Sequence, residues 1–193
     1  MSFMKADEKI YGAYLELRQE KLYFNQLKDF TKLSNSSLQN ALNTLIKKGA
    51  IKLNKTKSNT FYQIKNKKLF SLKFSEIAIN KFENLNFEIK SPLRNFLKEI
   101  PEHVFTIVLF GSASRKEEQK KSDIDILIVD DRKTDFESLK KEINNSSNYP
   151  LSIFKCSTEQ FYKNKDPIII QARKTGFPIY KEQNFYEVLL NEY

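Results

Sequence analysis

Two apolar runs close together constrain this chain more than any other feature. Val104 to Phe110 is a continuous apolar segment of strand length, and it stops at Gly111-Ser112. A polar segment follows, and Asp123-Ile124-Asp125 opens a second apolar run through Val129. The pattern predicts a buried strand, a turn with a short helix, then a second strand. Strand alternation sends the side chains of Asp123 and Asp125 to one face, close enough to share one divalent cation. Gly111 would let the backbone approach a phosphate at the end of the first strand, where Ser112 and the free N–H groups of the next turn can donate to it. Gly-Ser turns and Asp-x-Asp caps are each common on their own. The information lies in their order.

In that order, Gly111-Ser112, then Arg115 three residues after the serine, then Ser122-Asp123-Ile124-Asp125 ten residues on, the chain resembles the minimal nucleotidyltransferases of the DNA polymerase beta superfamily. The resemblance implies transfer of a nucleoside monophosphate from ATP or another NTP to an acceptor hydroxyl, with Mg²⁺ as cofactor and pyrophosphate released. It implies that Asp123 and Asp125 are the catalytic metal ligands and that Gly111 and Ser112 hold the β and γ phosphates. Arg115 would be a positive clamp beside them, with Ser122 shaping the strand entry. Arg115 reads equally well as a surface helix residue. The family pattern has a third carboxylate on the next strand, which here is Leu151 to Phe154, and Ser152 or a neighbour holds that place. Glu159 and Asp166 lie further on, but nothing in the sequence brings them to the site. Two carboxylates can hold one cation with a nucleotide's phosphates, whereas general-base catalysis lacks its usual residue.

Charge separates the N-terminal half from this motif. Of the formal net charge of +9, residues 1–100 carry 19 Lys/Arg against 9 Asp/Glu, and residues 101–193 carry 14 against 15. Between Lys21 and Phe70 there are 11 Lys and a single acid, Asp29. Such a segment attracts polyanions by counterion release, although a Lys-rich solvated surface would have the same composition. Helical spacing predicts a first helix over Asp7 to Gln19, a second over Phe24 to Thr31, and a third from an N-cap at Ser34 to Gly49. Ala50 to Leu53 and Thr60 to Ile64 read as a hairpin around a Lys-rich tip.

Three helices and a basic hairpin in this order resemble the winged helix-turn-helix of transcriptional regulators. That resemblance implies duplex DNA as partner. Ser36, Asn40, Asn43, Thr44 and Lys47 on the polar face of the third helix would meet base edges, and Lys52, Lys55 and Lys57 the phosphates beside the wing. The other reading is a helical domain that only packs against the C-terminal half or a partner protein.

The expected organisation is α/β (α+β): a winged helix-turn-helix over 1–68, a linker helix over 69–90 and a nucleotidyltransferase domain over 91–193. Asn66 to Asn86 reads as a strand or turn followed by a helix, and Ser91-Pro92 as the cap and first residue of a helix over Leu93 to Ile100. Beyond the motif, helices are expected at Phe136 to Ile143, Thr158 to Tyr162, Pro167 to Lys174 and Phe185 to Leu190, with a third strand at Leu151 to Phe154 and a turn and extended segment over Gly176 to Tyr180. One cysteine, Cys156, and one histidine, His103, exclude an intramolecular disulfide and a Cys/His zinc cluster. Cys156 reads as a small buried hydrophobe, and His103, without an obvious partner, as structural or solvated. No apolar run reaches the ~18 residues of a membrane span, so a cytoplasmic protein without membrane contact is expected.

Two functions stay open at this level. One is an active transferase acting on a protein or nucleic acid, as antitoxin members of the family act on HEPN-domain proteins. The other is a DNA-binding regulator whose transferase domain is degenerate and only senses nucleotide or mediates assembly, for instance as a homodimer.

Overall fold

The computed structural model describes residues 5–56, 59–117, 119 and 122–192. They divide into two compact units, the described residues up to 77 together with those from 186 on, and the described residues from 78 to 185.

In the first unit the order is α1 (Ala6–Leu17), β1 (Lys21–Tyr23), α2 (Phe24–Thr31), α3 (Asn35–Lys47), β2 (Ile51–Lys55) and β3 (Thr60–Ile64). The Ser34 side chain accepts the Ser37 N–H at 3.2 Å, satisfying one of the free donors at the start of α3. Leu38, Leu42 and Leu45 then bury one face of that helix, which ends before Gly49 at φ +70°. The sheet is antiparallel in the order β1-β3-β2, and its core face carries Leu22, Ile51, Tyr62 and Ile64. The buried Tyr14 hydroxyl donates to the Tyr62 carbonyl at 2.8 Å, so a core phenol is satisfied. β1 has no counterpart in the sequence reading. Three residues with one inward position give no periodic signal, and pairing with β3 is what makes them a strand.

Residues 66–86 correct the expectation of a strand or turn before a helix. They hold one long helix, α4 (Lys67–Glu83), whose apolar residues occur on all sides and so hide its period. Phe70 meets Tyr11 and Tyr14 edge-on at 4.9 and 5.2 Å between centroids, and Phe74 meets Tyr186 at 5.4 Å.

In the second unit, α5 (Phe87–Lys98) starts at Asn86, whose side chain accepts the Glu88 N–H. Ser91-Pro92 is therefore not a helix start: both residues lie inside α5. Pro92 forfeits one backbone bond there, offset by burial of the stripe Ile89, Pro92, Leu93 and Phe96. The chain continues through β4 (Thr106–Phe110), α6 (Gly111–Arg115), β5 (Ile124–Val129), α7 (Glu137–Ser146), β6 (Leu151–Cys156), α8 (Thr158–Lys163), α9 (Pro167–Thr175) and β7 (Phe177–Tyr180), and ends in α10 (Glu182–Asn191), whose residues from Tyr186 on belong to the first unit. α7 runs three residues beyond Ile143 into what reads as loop.

The sheet order is β6-β5-β4-β7, with β4 antiparallel to β5 and β7, and β5 parallel to β6. Helices around a mixed sheet make this an α+β fold. Every residue of β4 is buried, and every residue of β5 except Asp125. Among the described residues no helix is long and apolar enough to cross a membrane.

Candidate active site

Register brings the two halves of the motif together. β4 and β5 pair so that Phe110 lies opposite Asp125, and the chain leaves β4 directly into the Gly111 turn. Gly111 has φ +70°, and a Cβ built on it would stand 2.2 Å from Asp125 Oδ2. The carboxylate thus occupies the space that any side chain at 111 would need. Gly111 serves two purposes, the left-handed backbone and the room for Asp125.

Asp123 lies just before β5 and is exposed, while Asp125 is half-buried. Burial first, and the neighbouring charge of Asp123 second, raise the Asp125 carboxyl above the ordinary carboxylate range. No hydrogen bond or ion pair reaches the Asp125 carboxylate among the described residues. Two like charges with no cation between them among the described residues are a donor set suited to a divalent metal. Among the described residues no cluster of three or more His, Cys, Asp or Glu is present. The adjacent Ser122 Oγ is buried, with no hydrogen-bond partner among the described residues.

The remaining motif residues differ in their engagement. Ser112 is half-buried, and its carbonyl accepts the Glu117 N–H at 3.0 Å, closing the turn. Arg115 is exposed, with Nε donating to Glu117 at 2.7 Å, an ion pair of the surface kind that stabilises little. Ser114, absent from the sequence reading, ties the turn together: its hydroxyl donates to the Gly111 carbonyl at 2.8 Å. Gly176, which the sequence marks only as part of a turn, has a packing role as well. A Cβ there would stand 2.6 Å from the Ala172 and Leu109 carbonyl oxygens, so only glycine lets the end of α9 meet the end of β4.

On the neighbouring strand, Ser152 is the parallel partner of Asp125. Glu159 pairs with Lys163, and Asp166 caps α9 by accepting the Ile168 N–H at 2.8 Å. Neither of these acids supplies a third carboxylate. Cys156 is buried, and burial pushes its thiol up to about 12, as expected of a core residue rather than a nucleophile.

At the other end of β5, His103 is a half-buried structural residue, in line with the expectation, with partners that the sequence does not announce. Its Nε2 lies 2.9 Å from Thr134 Oγ1 and 3.6 Å from Asp130 Oδ1. Asp130 is buried, with Lys155 Nζ 3.1 Å away and the Arg132 N–H donating to it at 3.0 Å. A cleft of about 710 Å³ between α5 and α7, lined by Lys98, Pro101, Phe136, Leu139 and Glu142, holds none of the motif residues. Its mixed, open lining carries no chemistry comparable with the Asp pair.

In the first unit, Ser36, Asn40, Asn43, Thr44 and Lys47 are all exposed on α3, as are Lys52 and Lys55 on β2. Some are already engaged: Gln39 donates to the Asn43 side chain at 3.1 Å, and Thr44 back-bonds to the Asn40 carbonyl at 2.9 Å. Lys57 lies outside the described residues.

No curated protein and no solved structure matches this chain. The family model described as a nucleotidyltransferase domain does match, over residues 90–174, a span that holds the Gly111 turn, the Asp pair and Ser152. The chain is therefore similar to the nucleotidyltransferase domain family in the segment where Gly111 and Asp125 meet, and that likeness supports nucleotidyl transfer as its general activity.

Proposed function

We propose that this protein is a magnesium-dependent nucleotidyltransferase that moves a nucleoside monophosphate from ATP or another NTP to a protein or nucleic-acid acceptor. The observation that carries the reading is the packing of the Asp125 carboxylate on Gly111 within the segment similar to nucleotidyltransferases. In this reading residues 91–193 are the transferase, residues 69–90 a linking helix and residues 1–68 a winged helix-turn-helix that binds duplex DNA.

Asp123 and Asp125 hold the cation, and Gly111 and Ser112 take the β and γ phosphates. Arg115 adds positive charge beside them once it leaves Glu117, and Ser122 shapes the entry to β5. When bound, Mg²⁺ supplies the charge that lets a triphosphate approach two carboxylates. The acceptor hydroxyl has no carboxylate at Ser152 to take its proton, so transfer is slow. By the same resemblance, a HEPN-domain protein is an acceptor to test, in a cytoplasmic setting and with this chain as a homodimer.

The DNA-binding part rests on the order α1-β1-α2-α3-β2-β3 and on the exposure of the α3 and β2 polar residues in the most basic stretch of the chain. The Asp125–Ser152 pairing favours a second reading, a DNA-binding regulator whose transferase domain no longer turns over.

Calorimetric titration of ATP and the other triphosphates, with Mg²⁺ and with chelator, on the wild type and on Asp125→Ala, separates the two. Binding confined to wild type with Mg²⁺, together with label transfer from radioactive NTP, supports the transferase. Binding that is equal in all conditions, or absent for every triphosphate, leaves the regulator.

A further inference from the structure

The face of the β1-β3-β2 sheet turned away from the core has an unusual composition. Register arranges it in two cross-strand rows, Lys21–Gln63–Lys52 and Tyr23–Phe61–Asn54. The Tyr23 and Phe61 rings lie 4.3 Å apart between centroids with their planes 39° from parallel, and Tyr23 is 38% exposed. The Asn54 and Gln63 side-chain amides are hydrogen-bonded to each other beside the rings. Lys21 and Lys52 are exposed in the adjacent row.

A solvated sheet face usually carries polar and charged side chains only, so an outward aromatic pair framed by lysines and amides invites a partner that uses all three. Unpaired nucleotides do. A base stacks on an aromatic ring whatever its sequence, ammonium groups follow the phosphates, and amides meet base edges. The charge of the segment favours a polyanion over a protein, with 11 Lys against the single Asp29 in residues 21–70. A duplex cannot use Tyr23 and Phe61, because its bases are already stacked on one another.

We propose that this sheet face binds single-stranded nucleic acid, with a base stacked on the Tyr23–Phe61 pair and Lys21 and Lys52 on the neighbouring phosphates. The surface shares Lys52 with the interface assigned to duplex DNA but differs from it in the Tyr23–Phe61 pair and Lys21, and it does not depend on the transferase.

The chain contains no tryptophan, so a full-length Tyr23→Trp variant reports on this position alone. Oligo-dT or oligo-U twelve nucleotides long should quench its emission, and a blunt duplex of the same length should not; comparing the first two tells DNA from RNA. In fluorescence anisotropy, Phe61→Leu should weaken single-strand binding roughly tenfold, the order expected for losing one stacked base, and leave duplex binding within about twofold. Should circular dichroism show that Phe61→Leu is unfolded, the quenching experiment decides. The proposal is overturned by an absence of quenching with both single strands, or by equal losses for single strand and duplex. It is equally overturned by a concentration-dependent blue shift without nucleic acid, which would mean that a second copy covers the face.

Discussion

Gly111 and Asp125 share a space that only one side chain can fill. A Cβ at 111 would stand 2.2 Å from Asp125 Oδ2, far inside van der Waals contact, and Gly111 already has φ +70°. The turn after β4 and the carboxylate of β5 are thus one structural unit, although fourteen positions separate them in the sequence.

Gly111→Ala should act twice. The left-handed backbone costs an L residue about 1–2 kcal/mol, and the methyl group displaces the carboxylate. Thermal melting should show the first effect and calorimetry the loss of nucleotide binding. Ser112→Ala leaves Asp125 in place and should weaken binding by only about 1 kcal/mol. Wild-type Mg²⁺–ATP affinity in Gly111→Ala would show that the position of the carboxylate does not matter to the ligand.

The titration of Asp125 sets a trade between stability and binding. Because burial and Asp123 raise its folded value, the folded chain binds this proton more tightly than the unfolded chain. Stability then falls as pH rises from the ordinary carboxylate value of 3.8 through the folded one. At pH 7 the cost is fully present, so Asp125→Asn should melt higher than the wild type in chelator, an advantage that fades below 3.8. Mg²⁺ with ATP should raise the melting temperature of the wild type alone. A variant that melts lower than wild type at pH 7 in chelator would contradict the repulsion between the two carboxylates.

Asp130 behaves in the opposite sense. Burial alone would raise it, but the Arg132 N–H, the Thr134 hydroxyl and the Lys155 ammonium outweigh burial and hold it below the usual range. Its contribution is therefore present above 3.8 and lost as pH falls through the lower folded value. Lys155→Met strands a buried carboxylate and should cost roughly 3 kcal/mol in urea unfolding. Adding Asp130→Asn should recover part of that loss, and a double variant no more stable than Lys155→Met would place the cost elsewhere, for instance in the bonds from Lys155 to the Arg132 and Thr134 carbonyls.

What the sequence made legible was whatever repeats locally. Leu38, Leu42 and Leu45 mark α3 by their spacing, Ser34 marks its start, and the Gly111 to Asp125 motif announces itself by order. What it hid depends on partners distant in the chain. β1 exists through β3, and α5 begins a turn early because Asn86 caps it and Ile89 joins the buried stripe, against the local signal of Ser91-Pro92. The Gly111–Asp125 contact needs the β4–β5 register, and the neighbours of His103 come from a loop beyond β5. No periodicity contains those facts.

Duplex binding by the N-terminal segment should be strongly salt-dependent. Each lost phosphate contact lowers the slope of log affinity against log salt by about 0.9, so Lys52→Ala with Lys55→Ala should reduce it by nearly two units on any sequence. Asn40→Ala should instead cost about 1–3 kcal/mol on the preferred sequence only. Anisotropy of the full chain across a salt series measures both. Affinity indifferent to salt would remove duplex DNA as a partner and leave α3 as a packing surface.

The final prediction concerns the residue beside Asp125. In a parallel pair the side chains of directly opposed residues leave the same face of the sheet, so Ser152 stands next to the Asp125 carboxylate, on the strand where the family pattern has an acid. Ser152 is half-buried, which leaves room for the one larger group that Asp would add. A carboxylate there would complete a three-acid site and offer the acceptor hydroxyl a base. Ser152→Asp should therefore raise the transfer rate by about 10²-fold, the lower end of what general-base catalysis contributes, with little change in affinity for Mg²⁺–NTP. In the absence of metal it should melt lower than the wild type, since a third negative charge joins the two of Asp123 and Asp125. Single-turnover label transfer with Mg²⁺, set beside melting in chelator, reads both effects. A variant with unchanged rate and the expected loss of stability would show that the acid reaches the site without acting as the base, so that proton removal from the acceptor does not limit this protein.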